Sequence, residues 1–249
     1  MLTSERLSVI VNNQEEIECP LVLITKSNLL TDIFKLDDNT FQPLPVPSFI
    51  TKQVIDEIIT ILQDGTFAGI INSSIQYLIK IEMTLDFLCV TDESEMLLSV
   101  IYEKVTTTNS FRVFCMTNEV PCFHDVTMKC ALLMKEQLNE YYSRTLLFGD
   151  LGDPYLDEYS SFTIFEIEQF FSYCDKYYTV MKVVILKKWV SRNCDCLHTE
   201  KLITILENIN KEAIYIPRSH IKFMRNVRDE ILAEIRGIDG RQSTNGANK

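Results

Sequence analysis

The sequence predicts an α+β fold, in which a small sheet with its helices comes first and an all-helical half follows. Only 7 glycines and 7 prolines occur in 249 residues, too few for the frequent tight turns of an all-β protein. Strand-like alternation is confined to the start of the chain, whereas apolar residues at helical spacing fill most of the rest. An apolar fraction of 46% is typical of a packed globular protein.

The chain opens with a predicted β-hairpin. Residues 6–18 (RLSVIVNNQEEIE) contain a β-branched run, a polar turn at Asn12-Asn13-Gln14 and a second short strand that ends near Cys19. From Pro20 onward, leucines and isoleucines recur at spacings of three and four, which predicts a short buried helix pair with Thr25 or Ser27 as a cap.

A proline-bounded extended segment follows. Prolines at positions 43, 45 and 47 exclude a helix and predict an edge strand or a linker. After Ser48 an apolar stripe predicts a helix that ends at Gly65, and two further helices are predicted at about 73–87 and 93–105. The polar run 106–110 is the best candidate for a boundary, so the first domain is predicted to span 1–106.

The second domain, predicted at 107–236, contains helical patterns only. These occupy 111–146 with a break at Pro121, 162–175, 179–192, 200–209 and 219–235, and Thr163 and Thr179 stand where they could cap two of the helices. A polar, turn-rich loop is predicted at 149–161. The tail 237–249 is rich in Gly, Ser, Thr and Asn and is predicted to be disordered.

The order of elements in the first domain resembles the BTB/POZ fold, which is shared with the Skp family of F-box adaptors. The stretch CPLVLITKSNLLTDIF is similar to a BTB segment in its Leu23, Ser27, Leu29-Leu30 and Phe34. Pro43-Leu44-Pro45 before an Ile/Val helix resembles Skp-like proteins in particular. Cys19 stands where many BTB domains have histidine.

The second domain resembles the BACK domain that commonly follows BTB. The resemblance lies in Ser161-Phe162, the run 166–171, Tyr173 with Asp175, Lys188-Trp189-Val190 and the segment LITILENINKEAI. Together the two resemblances cover nearly the whole chain to about residue 235, and they imply a small sheet flanked by helices followed by an all-helical BACK-like domain.

The resemblance implies a protein-interaction adaptor that links a cullin-type ubiquitin ligase scaffold to a recruited protein. The cullin-facing residues it suggests are Leu36, Asp38, Phe41, Tyr77 and Met83. Leu36-Asp37-Asp38 has Asp where cullin-binding loops carry Glu, so an alternative is a Skp-like or BTB-only decoy that binds another adaptor without forming a ligase. A homodimer stays open, because the N-terminal segment through which long-form BTB domains exchange is not visible in the six residues before the first strand.

Charge and targeting signals limit the other partner classes. The net charge is −11, which repels phosphate backbones and anionic membranes unless a local basic patch overrides it. The candidate patch is interrupted by Asp229 and Glu230, and it comprises Arg218, Lys222, Arg225 and Arg228. No secretory segment or run of 18 apolar residues is present, so we expect no nucleic acid, no membrane, a cytoplasmic or nuclear location, and reduced, buried cysteines.

No motif for catalysis or a cofactor stands out. GxGxxG, Walker, GxSxG and HExxH patterns do not occur. Cys194, Cys196 and His198 would suit zinc, but their spacing favours an ordinary loop. Cys122 and His124 are too close in sequence to face each other as nucleophile and base. We therefore expect no enzyme activity, no metal and no cofactor; a deep polar pocket that gathered His124 or His198 with carboxylates would favour an enzyme.

Several acidic and aromatic residues have a structural interpretation that the sequence favours and, for most of them, a functional alternative. Asp37-Asp38 and Asp92-Glu93 are expected in solvated loops and helix starts, with a partner-facing acidic edge as the alternative. Tyr141-Tyr142 and Tyr177-Tyr178 are expected to be half-buried packing residues. Trp189 is expected in the core of the second domain, with an interface hot spot as the alternative.

Overall fold

A computed structural model describes residues 8–11, 15–36, 44–148, 154–193, 198–212 and 218–246. The chain divides into two compact units. The first consists of Met1–Val105 with Glu119–Val126, and the second of Thr106–Asn118 with Thr127–Lys249. The division falls at the start of the polar run 106–110, and the segment Glu119–Val126 joins the first unit although its sequence position suggested the second.

The described residues of the first unit contain a three-stranded sheet with the order β2-β1-β3. Strands β1 (Ser8–Val11) and β2 (Glu15–Glu18) are antiparallel, with Val9 opposite Ile17. Strand β3 (Leu44–Pro45) pairs with β1 in parallel. Because Pro45 has no N–H to donate, a position at the edge of the sheet suits it.

Five helices follow in the described part of the first unit, and local sequence sets their ends. They are α1 (Leu21–Lys26), α2 (Asn28–Leu36), α3 (Lys52–Asp64), α4 (Ile75–Phe87) and α5 (Thr91–Lys104). Helix α3 begins where the Thr51 side chain accepts from the Val54 amide, and it ends at Gly65, whose φ of 64° is left-handed and favours glycine. The predicted helix pair after Pro20 and the predicted helices at 73–87 and 93–105 are confirmed.

Ser27 links the helix pair α1 and α2 to the segment that follows α4. Its fully buried hydroxyl donates to the Leu88 carbonyl at 2.5 Å and accepts from the Leu30 amide at 3.0 Å. One side chain therefore caps α2 and satisfies a carbonyl just beyond α4, 61 residues away in the chain. Of the two predicted caps, Thr25 and Ser27, the structure assigns the role to Ser27, whereas the Thr25 hydroxyl donates to the Leu21 carbonyl.

We expect Ser27→Ala to lower the free energy of unfolding by about 1–3 kcal/mol, because it removes a helix cap and leaves the buried Leu88 carbonyl without this donor. Urea unfolding followed by circular dichroism measures the loss. The exposed Ser99→Ala on α5 is the matched control and should change the free energy by less than about 0.5 kcal/mol. Equal effects of the two changes would contradict the capping role.

Seven further α-helices lie in the rest of the described chain. They are α6 (Ser110–Thr117), α7 (His124–Phe148), α8 (Pro154–Glu158), α9 (Ile164–Tyr173), α10 (Thr179–Arg192), α11 (Thr199–Glu212) and α12 (Arg218–Gly246). Helix α9 starts with a capping box in which Thr163 and Glu166 bond each other's backbone amides. Helix α10 is buried on nearly every side and packs against α11 and α12. An aromatic cluster of Phe114, Phe162 and Phe170 forms part of the core.

Three sequence expectations for this half are corrected. The loop predicted at 149–161 contains α8 and a 3-10 turn at Tyr159–Ser161, because Leu156 and Tyr159 are fully buried and tertiary packing outweighs the local turn residues. The tail predicted to be disordered from Gly237 is helical to Gly246, since an established helix gains a hydrogen bond for each added residue. Thr179 does not cap α10; its hydroxyl donates to the Lys176 carbonyl.

Among the helices of the described ranges, none combines the length and the apolar character that a membrane span requires.

Candidate functional site

The predicted partner-binding residues lie on two helices, as far as the structure describes them. Leu36 is the last residue of α2, whereas Tyr77 and Met83 lie on α4 and are partly exposed. Asp38 and Phe41 lie outside the described residues. Six residues of helix correspond to a rotation of about 240°, so Tyr77 and Met83 point in different directions from α4 and do not form one narrow stripe.

The end of the Tyr77 side chain is buried, unlike that of a residue at the edge of an interface. Its hydroxyl is shielded from solvent near Gln53 and Glu57 of α3. Burial raises the pKa of Tyr77, and the nearby Glu57 carboxylate raises it further. The side chain therefore helps to join α3 to α4, and of the two described candidates on α4, Met83 is the simpler probe of partner binding.

A buried carboxyl group lies behind this surface. Glu82 of α4 is fully buried, and its Oε1 accepts a 2.5 Å hydrogen bond from the Ser94 hydroxyl of α5, whereas its Oε2 has no protein partner. Burial raises the pKa of Glu82 to about 7, the Ser94 hydrogen bond opposes the rise, and Asp86 adds to it. The first unit thus contains a carboxyl group that stays protonated to a pH well above the range in which glutamates usually ionise.

The thiol near this carboxyl group is not activated. Burial, together with Asp86 and Glu82, raises the pKa of Cys122 to about 12. The neighbouring His124 is exposed at the start of α7. Since the thiolate is the nucleophilic form, a thiol with this pKa is protonated and unreactive at neutral pH.

The other described cysteines are free thiols, and burial raises the pKa of most of them in the same way. Burial raises the pKa of Cys19 to about 11 and those of Cys115, Cys130 and Cys174 to about 12. Cys89 is different because it is exposed. The expectation of buried cysteines therefore holds for Cys19, Cys130 and Cys174, whereas Cys115 and Cys122 are partly exposed. It is wrong for Cys89, which lies in the turn after α4.

We expect iodoacetamide at pH 7.5 to modify Cys89 at least tenfold faster than any of the five cysteines with raised pKa, because reaction requires an accessible thiolate. Peptide mass spectrometry after timed quenching resolves each cysteine. Unfolding in urea should remove the difference. Fast modification of Cys122 in the folded chain would contradict the raised pKa of its thiol.

The possible zinc ligands are only partly described. Cys194 and Cys196 lie outside the described residues. His198 is exposed, and its ring lies 5.6 Å from that of Phe165. Within the ranges that the structure describes, no group of three His, Cys, Asp or Glu side chains is arranged to hold a metal ion.

A polar pocket in the second unit is a feature that sequence reasoning missed. It lies between α9, α10 and α11, and its lining includes Lys182, Glu212, Glu168 and Asn208. Lys182 is only 3% exposed, and its Nζ donates to both Glu212 oxygens at 2.9 and 3.0 Å. The Thr179 hydroxyl contacts Glu212 at 3.2 Å. A lone lysine in the apolar run TVMKVVIL was the available signal.

The pocket's charges are largely neutralised by one another. Lys182 is paired with Glu212, and Glu168 is paired with Lys201 of α11. Neither His124 nor His198 is among the described residues that line this pocket. The Lys182–Glu212 pair links α10 to the end of α11, and the partly exposed Glu168–Lys201 pair links α9 to the start of α11.

Of the remaining sequence predictions, those for Trp189 and Asp92-Glu93 are confirmed, and that for Tyr177 is wrong. Trp189 is buried, and its Nε1 donates to the Phe162 carbonyl at 2.6 Å, which confirms the core assignment. Asp92 and Glu93 lie in the first turn of α5 as predicted, and Glu93 pairs with Lys26 at 3.0 Å. Tyr177 is 87% exposed, so its assignment as a packing residue is wrong: it lies in a 3-10 turn whose other tyrosine, Tyr178, points inward and donates to Asn139.

No protein-family model, curated protein or solved structure matches the chain.

Proposed function

We propose that the chain is a non-catalytic protein-interaction adaptor, with a BTB-like first unit and a BACK-like helical second unit, that links a cullin-type ubiquitin ligase scaffold to a recruited protein. The observation that carries the proposal is the order of elements in the first unit. A hairpin is followed by a helix pair, a short strand parallel to β1, and three helices. This is the order that the BTB resemblance implies.

The residues behind the resemblance support the proposal by their positions. Leu23 and Leu30 are fully buried, and Ser27 bonds both its own helix and the segment after α4. These side chains therefore serve to assemble a small domain. Surfaces such as the exposed part of α4 are left for a partner.

The second unit offers comparable support. Phe162 and Trp189, which carry part of the BACK resemblance, meet through the hydrogen bond from the indole to the Phe162 carbonyl. Phe162 also stacks on Phe114 at a centroid distance of 5.8 Å. The motif residues form a rigid helical support, which in the proposal positions the recruited protein. We assign the adaptor to the cytoplasm or nucleus, where its free thiols stay reduced.

The proposal predicts direct binding of the full chain to a purified cullin N-terminal domain, measured by biolayer interferometry at micromolar concentrations. Met83→Glu should weaken binding at least tenfold, because it places a charge in an apolar contact that partner binding would desolvate. Phe41→Ala should weaken it by more than about 1 kcal/mol. Met128→Glu is the matched control, because Met128 is exposed on α7 in the second unit.

The outcomes separate the adaptor from its alternative. No cullin binding at micromolar concentration, with the fold intact by circular dichroism, would end the ligase proposal. Co-purification with an F-box protein in its place would favour the Skp-like decoy. Equal loss of binding with Met83→Glu and Met128→Glu would contradict the assignment of the surface on α4.

A further inference from the structure

A second cavity of the second unit is an apolar groove between α10, α11 and α12. Its floor is made by Val183, Leu206, Ile209 and Met224, which are all buried. Ile221 and Asn210 lie nearer its mouth. The groove has a volume of about 210 Å³. Cavities that hold small organic ligands usually measure roughly 300–1,000 Å³, so this one is closer in size to a single large apolar side chain.

Two arginines lie at the mouth of the groove, although the chain as a whole carries a net charge of −11. Arg225 and Arg228 of α12 both line it, and the described lining residues include no carboxylate. Arg228 bonds Asp229 at 2.9 Å, whereas Arg225 is exposed and forms no ion pair within the described residues. The polar pocket on the other side of α11 is lined by Glu168 and Glu212 with Lys182, so the two cavities differ in charge.

We propose that this groove docks an acidic amphipathic peptide segment of a partner protein. One large apolar side chain of the segment enters the groove, and carboxylates on either side of that residue pair with Arg225 and Arg228. A buried apolar anchor surrounded by charge-assisted hydrogen bonds is a common way in which a peptide binds a helical surface. Docking here goes beyond the adaptor proposal, because it lies in the second unit and requires no cullin-like partner.

Charge complementarity favours this occupant over the other anionic classes. Nucleic acid binds through many phosphate contacts along an extended basic surface, and the groove provides two arginines beside an apolar floor. A small amphipathic anion such as a fatty carboxylate would meet the same arginines, but a volume of about 210 Å³ is small for a long acyl chain. A peptide needs to insert only one side chain.

The test is selection of a phage-displayed library of random twelve-residue peptides on the immobilised full chain. The best peptides are then titrated in solution by fluorescence anisotropy. We expect the enriched peptides to share one leucine, phenylalanine or methionine flanked by at least two acidic residues. Arg225→Glu should weaken them at least tenfold, because it reverses the charge beside the docked carboxylates. Arg236→Glu is the matched control, an exposed arginine on the same helix but outside the groove.

Each outcome supports or overturns the proposal. Circular dichroism melting of both variants verifies that the fold is kept, which is expected because both arginines are exposed. Failure to enrich any peptide, enrichment of neutral or basic peptides, or equal weakening by Arg225→Glu and Arg236→Glu would overturn it. Decanoate is titrated in parallel, and binding of decanoate that depends on Arg225 without any enriched peptide would assign the groove to small amphipathic anions. No outcome depends on cullin binding, so this test and the adaptor test fail independently.

Discussion

Replacing Glu212 with glutamine is expected to lower the free energy of unfolding by about 2–4 kcal/mol. The change leaves the Lys182 ammonium group, only 3% exposed, without its counter-charge. A buried charge that has lost its partner costs about 3–5 kcal/mol. The Glu212 side chain is 28% exposed, so access of water to the site reduces the penalty. Urea unfolding monitored by circular dichroism provides the measurement.

Replacing the lysine of the pair should lower the free energy of unfolding much less than replacing Glu212. Lys182→Met removes the buried charge and keeps most of the side chain's volume, and the remaining Glu212 can still contact water, so we expect a loss below about 1 kcal/mol. The double variant Lys182→Met with Glu212→Gln should then be more stable than Glu212→Gln alone. A larger loss for Lys182→Met than for Glu212→Gln would contradict the view that the unpaired buried ammonium group carries the larger penalty.

Glu82→Gln is expected to stabilise the first unit by about 2 kcal/mol at pH 8 and by little at pH 4. Burial raises the pKa of Glu82 in the folded chain to about 7 from an ordinary value of 4.5. Between these values the folded state binds a proton that the unfolded state has released, so stability falls as pH rises. A tenfold change in a proton-binding constant corresponds to about 1.4 kcal/mol, so ionisation of Glu82 costs about 3 kcal/mol above pH 7. The glutamine amide, placed where Oε2 has no partner, offsets part of the gain.

The measurement is the free energy of unfolding of both forms from pH 4 to pH 8. The difference between wild type and variant isolates Glu82, because the other carboxyl groups titrate alike in both. Glu95→Gln, an exposed change on α5 beside Ser94, is the control and should give a flat difference. A difference for Glu82→Gln that does not vary with pH would mean that Glu82 is ionised in the folded chain.

Several local features were predictable because their causes are local. Gly65 ends α3 because its left-handed φ suits glycine, and Thr163 with Glu166 starts α9 because the two side chains satisfy each other's backbone amides. Local signals predicted a cap for the helix pair α1 and α2 at Thr25 or Ser27, and the structure assigns it to Ser27. Its second bond, to the Leu88 carbonyl, depends on how the helices pack and was not predictable.

The candidate sites were less predictable, for the same reason. The lone lysine within the apolar run of α10 could have indicated a buried charge, but its partner Glu212 lies 30 residues further on. Glu82 lies among the isoleucines and leucines of α4 in a similar way, and only the packing of α5 brings Ser94 to its carboxyl group. Tyr177 and Tyr178 are adjacent in sequence, yet one is exposed and the other buried.

The sequence by itself determined that the chain is helix-rich, where most of its helices begin and end, and that its core is made of regularly spaced apolar residues, because caps and periodicity act over a few residues. The tertiary structure alone decided that residues 154–161 are not a loop, because Leu156 and Tyr159 are buried in the core. It also decided which charges are buried and paired, and where α10, α11 and α12 leave an apolar groove with an arginine mouth. Burial and charge pairing depend on contacts between residues far apart in the chain, which the spacing of residues along one helix does not specify.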